Sequence, residues 1–161
     1  MFFFDRLTRL AIGEAIGWWR PEHVGGNWTT FKSSTSSWSN QGLRYYKGLA
    51  WYRQTIDVPA KYRGKRIFLW FGGIDELAKV WVNGKLVGIS PKGCFVPFEL
   101  DATGAVRPGK ANTVTVCVSN FTLNELGTGG LTGPVMFYAP TGGKDAEVRN
   151  ARPPHTEFPD Y

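Results

Sequence analysis

"LAKVWVNGKLVG", residues 77–88, decides how this chain folds. Two short apolar runs, Leu77 to Val82 and Lys85 to Val87, flank the pair Asn83-Gly84. A two-residue hairpin turn of type I′ needs positive φ at both central positions, and Asn-Gly meets that demand with the least strain. The stretch therefore predicts an antiparallel hairpin closed at Asn83-Gly84.

The same signature repeats outward in both directions. "GLAWYRQTIDVP" (48–59) is rich in β-formers and closes at Pro59. "GKRIFLWFGG" (64–73) alternates Ile67, Leu69 and Phe71 against Phe68 and Trp70. "VPFELDAT" (96–103), "NTVTVCVSN" (112–120) and "GPVMFYAP" (133–140) complete the series. Near the start, "MFFF" (1–4) and "NWTTFK" (27–32) read as edge strands. "DRLTRLAIGEAIGWW" (5–19) has a helical look, but Gly13 and Gly17 interrupt it. About eight short strands with turn residues between them predict an all-β chain: an antiparallel β-sandwich of jelly-roll type. Residues 1–141 are expected to form this single domain. The tail 142–161, with "RPPHTEFPD", shows no alternation and reads as an extended segment or linker.

Composition agrees. Of 161 residues, 42% are hydrophobic and 15% aromatic, enough for a full core. The 20 glycines and 10 prolines suit a turn-rich sandwich. The formal charge is +6, but the 19 Lys and Arg residues form no run, so neither nucleic acid nor membrane is expected as a partner. No apolar run approaches the ~20 residues of a bilayer span. "MFFFDRL" lacks the basic n-region of a secretory signal, which leaves the compartment open. Cys94 and Cys117 make no disulfide framework, and whether they pair is open. Cys117 reads as a small buried side chain.

In an antiparallel sandwich successive connections alternate between the two ends. Residues 58–65, the Asn83-Gly84 turn and 103–110 fall at one end, as short turns. Residues 36–48, 72–76, 89–96 and 121–133 fall at the other, and these are longer and carry Trp38, Arg44, Tyr45, Tyr46, Asp75, Glu76, Asn124 and Glu125. Functional residues concentrate on loops held by a rigid scaffold, so the second end is the candidate site. Trp38, Tyr45 and Tyr46 would either offer a flat ring face to a ligand or pack inward, and both readings stay open. Trp51, Trp70 and Trp81 lie inside strands, where packing is expected. Trp18 and Trp19 suit a sheet face or a sandwich end equally. Asp75-Glu76 suits a turn, Asp bonding backbone and Glu in solvent. Glu99 and Asp101 alternate onto a solvent side.

Taken in order, the "WYR" strand, the "VP…GK" turn, "F.G.D", "VWVNGK.VG", "PFELDAT", "RPGKANTVTVCVSN" and "GGLTGPV" resemble the sugar-binding, jelly-roll domain of family-2 glycoside hydrolases and related glycosidase accessory domains. "KGCFVPF" departs from the family's usual Gly-Gly-aromatic loop. The resemblance implies a galactose-binding-like jelly roll that lies beside a catalytic barrel of the same parent chain, with the loop matching 121–133 reaching toward sugar, and a secreted or periplasmic location if that parent is a polysaccharide-degrading enzyme. Asn124 and Glu125 are the residues in that loop with polar side chains of useful length. A (β/α)₈ barrel of about 250 residues has no room here.

Catalysis by the chain itself is not expected. A glycosidase needs two carboxylates at a set separation, one with a raised pKa, and no such constellation with an orienting group is in view. His23 and His155 lack metal-ligand spacing, so no cofactor is expected, although a structural calcium held by carbonyls and scattered carboxylates stays open. The expected function is a non-catalytic carbohydrate-binding module. Its candidate site comprises Trp38, Arg44, Tyr45, Tyr46, Asn124 and Glu125, with Gly127, Gly129, Gly130 and Gly133 letting backbone approach the ligand. The alternative is a structural domain that docks on a catalytic partner and binds no free sugar.

Overall fold

A computed structural model describes residues 2–5, 12–23, 28–33, 36–44, 46–91, 93, 95–121 and 128–141. The strands are β1 (Phe2–Asp5), β2 (Gly48–Asp57), β3 (Phe68–Phe71), β4 (Leu77–Val82), β5 (Lys85–Ile89), β6 (Phe98–Asp101), β7 (Ala111–Asn120) and β8 (Val135–Tyr138). One sheet has the order β1-β2-β7-β4-β5 and the other β6-β3-β8, with every pair antiparallel. The expected sandwich is therefore present. β1 forms one edge of the larger sheet, as expected of "MFFF". The other expected edge strand, over 27–32, does not form among the described residues: Thr29 makes a lone bridge and its neighbours are irregular. Among its described residues, the helical-looking stretch 5–19 forms one turn, α1 (Ile12–Ala15). The expected linker over 142–161 lies outside the described residues.

Alternation decides which side chains enter the core. Val80, Val82, Val114, Val116 and Val118 of the larger sheet face Ile67, Leu69, Phe71 and Phe98 of the smaller one, all buried. The opposite face of the larger sheet should meet solvent in a simple sandwich. Here Trp51, Trp81, Leu49 and Cys117 on that face pack with Trp18 into a second buried cluster, and Trp19 and Trp28 lie against it. Trp51 and Trp81 stack at 5.4 Å. Arg53 holds the covering segment, donating to the carbonyls of Trp18, Arg20 and His23. Lys79 pairs with Glu14 at 2.8 Å on the same face. Packing of Trp51, Trp81 and Cys117 is thus as expected, and Trp18 and Trp19 cover a sheet face.

The deciding hairpin is also as read. Val82 pairs with Lys85 across a two-residue turn, with φ of 51° at Asn83 and 79° at Gly84. Asn83 is held in place by donating to the Asn112 side chain at 2.7 Å and to Ala105 O at 2.8 Å. A Cβ on Gly84 would also sit 3.0 Å from Cδ of Pro21. Gly84→Val is expected to destabilise the domain by about 1–3 kcal/mol through backbone strain. Thermal denaturation checks this; an unshifted midpoint would contradict the turn geometry.

Candidate functional site

The ladder registers put the long connections at one end. Gly48 pairs with Asn120 and Leu77 with Ser119, while Phe71 pairs with both Phe98 and Val135. Backbone bonds then tie the connections together. Phe95 N donates to Ile74 O at 2.8 Å, Asp75 N to Gly130 O at 3.0 Å, Thr132 N to Gly73 O at 3.1 Å and Trp38 N to Gly129 O at 3.0 Å. An Ile74–Leu131 bridge adds to the set. The segments 36–48, 72–76, 90–97 and 128–134 therefore form one surface.

The structure distributes the predicted site residues unevenly. Trp38 is 0% exposed, so its expected role as a stacking surface is corrected: the indole lies in the core, where Nε1 donates to the Tyr52 hydroxyl at 2.5 Å. The cause is the larger sheet's inward row, which leaves a ring-sized space beside Tyr52 that the 36–48 turn fills. Tyr46 is half-buried, edge-on to Trp38 at 5.3 Å, and donates to Leu49 O. Its ring is the partner of Trp38, so these two residues come together as packing. Arg44 is exposed on the turn between them. Tyr45, Asn124, Glu125 and Gly127 lie outside the described residues, as does Cys94.

The glycines of the opening loop press on protein. Gly129 and Gly130 have φ of 109° and 98°. A Cβ would fall 2.4 Å from the Trp38 ring at Gly129 and 2.5 Å from both Trp38 Nε1 and Tyr52 Oη at Gly130. A Cβ on Gly133 would fall 2.4–2.6 Å from backbone atoms of Gly72 and Gly73. These three positions carry no side chain because the loop is laid directly on Trp38 and on the 72–73 strand end. That corrects, for these three, the expectation of ligand approach.

Asp75 and Glu76 also differ from expectation. Both are buried, at 1% and 6% exposure. Glu76 takes φ of 64°, and its carboxylate accepts the Phe121 N–H at 2.9 Å. It anchors the start of the 121–134 loop and does not face solvent. Neither carboxylate oxygen of Asp75 has a hydrogen-bond partner among the described residues. Sequence offered one signal for this pair: two carboxylates at the end of an apolar strand, which solvation explained equally well. Among the described residues, the exposed large apolar side chains at this end are Phe95 and Val96, at 47% and 53%, with Phe95 at a φ of 60°.

Two further features went unseen in the sequence. A cleft of about 290 Å³ lies on the flank, floored by Tyr52, Ile56, Val114, Val116 and Val135 and rimmed by Thr30, Phe31 and Ser33. Its lining comes from distant segments, so no local pattern marks it. The outer face of the smaller sheet carries Phe68 and Trp70 flanked by Glu99, Asp101, Met136 and Tyr138. Arg66 pairs with Asp101 and covers the Phe68 ring, which stacks on Tyr138. Tyr138 donates to Glu99; burial, then that bond and the Glu99 charge, push its hydroxyl up to about 12. Burial alone would raise Asp101, but hydrogen bonds from Thr103 and Arg66 hold it below the usual range. As expected, Glu99 and Asp101 share the solvent side. Among the described residues no group of three or more His, Cys, Asp or Glu is placed to hold a metal ion, and no helix is long and apolar enough to cross a membrane.

Residues 30–129 match the family described as glycosyl hydrolases family 2, sugar binding domain. The chain belongs to that family. The match spans β2 to β7 with the connections between them. A β-glucuronidase of Paenibacillus borealis is 47% identical over 78 residues, 48% of this chain and 13% of the relative. A β-galactosidase of Thermoanaerobacter pseudethanolicus is 38% identical over 76 residues, 47% of this chain and 10% of that protein. Among solved structures, a Ruminococcus gnavus β-glucuronidase superposes with a TM-score of 0.63 at 30% identity, covering 74% of this chain and 19% of that one. A Lactobacillus rhamnosus β-glucuronidase gives 0.60 at 31%, covering 76% and 20%. The family-2 sugar-binding domain described here thus spans a fifth or less of these four proteins.

Proposed function

We propose that this family-2 domain is a non-catalytic carbohydrate-binding module of a larger glycoside hydrolase, contacting glycan through the loops at the 36–48/121–134 end. The observation that carries the reading is the anchoring of the 121–134 loop. Glu76 holds its first residue and Trp38 its Gly129 carbonyl, so the loop leaves a rigid base on both sides. In this reading Asn124 and Glu125, which fall between those anchors in the sequence, supply directional hydrogen bonds, together with Arg44 and its sequence neighbour Tyr45. No cofactor enters this reading. Glu125→Ala is expected to weaken glycan binding by roughly 1–3 kcal/mol, the range for losing a charged hydrogen bond, with little change in melting temperature. Titration calorimetry of both proteins against glycans chosen from an array checks this, and equal affinities would remove Glu125 from the site.

Exposed Phe95 and Val96 favour a second reading. Large apolar side chains at a rigid loop end suit contact with another protein surface. In that reading the domain docks on the catalytic domain of its parent chain and binds no free sugar. Binding of no glycan by the isolated chain supports it.

A further inference from the structure

Trp70 occupies the centre of the smaller sheet's outer face. Its register partners are Glu99 on β6 and Met136 on β8. Neighbouring strands lie ~4.8 Å apart, so Glu99 and Met136 flank the indole on its two sides, and the Glu99 carboxylate reaches across β3 to accept from Tyr138 on β8. Trp70 is half-buried, and Met136 is 47% exposed. Among the described residues no other ring or cation covers the Trp70 indole, and no acceptor takes its N–H. The next row is closed by comparison. Phe68 is 2% exposed, roofed by Tyr138 and Arg66.

We propose that this outer face is a second carbohydrate contact, separate from the loop end, in which Trp70 stacks on a pyranose of a neutral glycan and Glu99 accepts its hydroxyls. The inference rests on reading the chain as a carbohydrate module. Three observations select the occupant. The chain's own Arg66 already fills the cation slot over Phe68 and beside Asp101, so no second cation is called for there. Tyr138 occupies one oxygen of Glu99, so the groups left open are the indole N–H and the second carboxylate oxygen, Oε1. A sugar hydroxyl both donates and accepts, whereas a guanidinium or ammonium has no acceptor for the indole N–H. Finally, Glu99 is not paired with a basic side chain among the described residues, which disfavours a polyanion at this face although the chain carries +6.

Affinity electrophoresis of the full 161-residue chain tests this, in gels containing galactomannan, xyloglucan, mixed-linkage β-glucan or, as a polyanion, polygalacturonate. The proteins compared are wild type, Trp70→Ala, Trp70→Tyr, Glu99→Gln and Glu125→Ala, each with its melting temperature. The expected result is retardation in a neutral gel, weakened tenfold or more by Trp70→Ala, partly restored in Trp70→Tyr, reduced by Glu99→Gln and retained by Glu125→Ala. Retardation abolished by Glu125→Ala and untouched by Trp70→Ala would overturn the second contact and leave the loop site standing. Trp70-dependent retardation by polygalacturonate alone, or competition by oligoarginine, would also overturn it. Retardation in no gel would remove this contact and the module reading together.

Discussion

Trp38→Ala is expected to lower stability by about 3–5 kcal/mol, the range for truncating a fully buried aromatic. Three losses combine. The indole is 0% exposed, so its removal leaves a ring-sized cavity beneath the loop end. The Tyr52 hydroxyl loses the N–H that it accepts at 2.5 Å, and Tyr52 is itself only 8% exposed. The hydroxyl still accepts the Leu131 N–H at 3.3 Å, so the loss of one of its buried hydrogen bonds adds to the cavity cost without leaving the group bare. Gly129 and Gly130 also lose the surface on which they rest, so the ends of the 121–134 loop loosen. For a domain of this size the midpoint should fall by roughly 10 °C, at ~2–4 °C for each kcal/mol. Thermal denaturation by circular dichroism measures it. Trp38→Phe should recover part of the loss by filling volume without the hydrogen bond. Reduced glycan binding at an unchanged midpoint would place the indole at the surface and contradict the packing.

Gly133→Ala should be the next most damaging change, at about 3 kcal/mol. The new methyl would fall 2.4 Å from the Gly72 carbonyl carbon and 2.5 Å from Gly73 N. Both are backbone atoms, so no rotamer change relieves the clash. The contact is fastened on either side, by Gly133 N to Gly73 O at 3.2 Å and Gly72 N to Pro134 O at 2.8 Å. Relief requires the 128–134 segment to lift from the strand end, which breaks those bonds and the Ile74–Leu131 bridge. Chemical denaturation should show a lower midpoint with little change in slope. Wild-type stability would mean that the two strand ends are not in contact.

The two substitutions explain why part of the site could be read and part could not. The hairpin at Asn83-Gly84 was legible because φ at a turn is a local property and few residues tolerate positive values. The alternation of Val114, Val116 and Val118 with Thr115 and Cys117 was legible for a similar reason: a strand has a period of two. Which ends the loops occupy followed from antiparallel order alone, and the ladder registers agree.

Trp38 had no such local signature. A tryptophan in a polar turn fits a sugar platform and a buried plug equally. Only the space beside Tyr52, bounded by strands distant in sequence, settles it as a plug. The same holds for Glu76, a carboxylate after an apolar strand whose role depends on the Phe121 N–H 45 residues away. It holds for Gly129, Gly130 and Gly133, whose glycine requirement comes from atoms of Trp38, Tyr52, Gly72 and Gly73. Sequence by itself determined the strands, the tight turn and the end at which the long loops meet, because each rests on the conformational preferences of neighbours. Tertiary structure alone decided which loop side chains turn inward, because burial depends on the volume left by segments far apart in the chain.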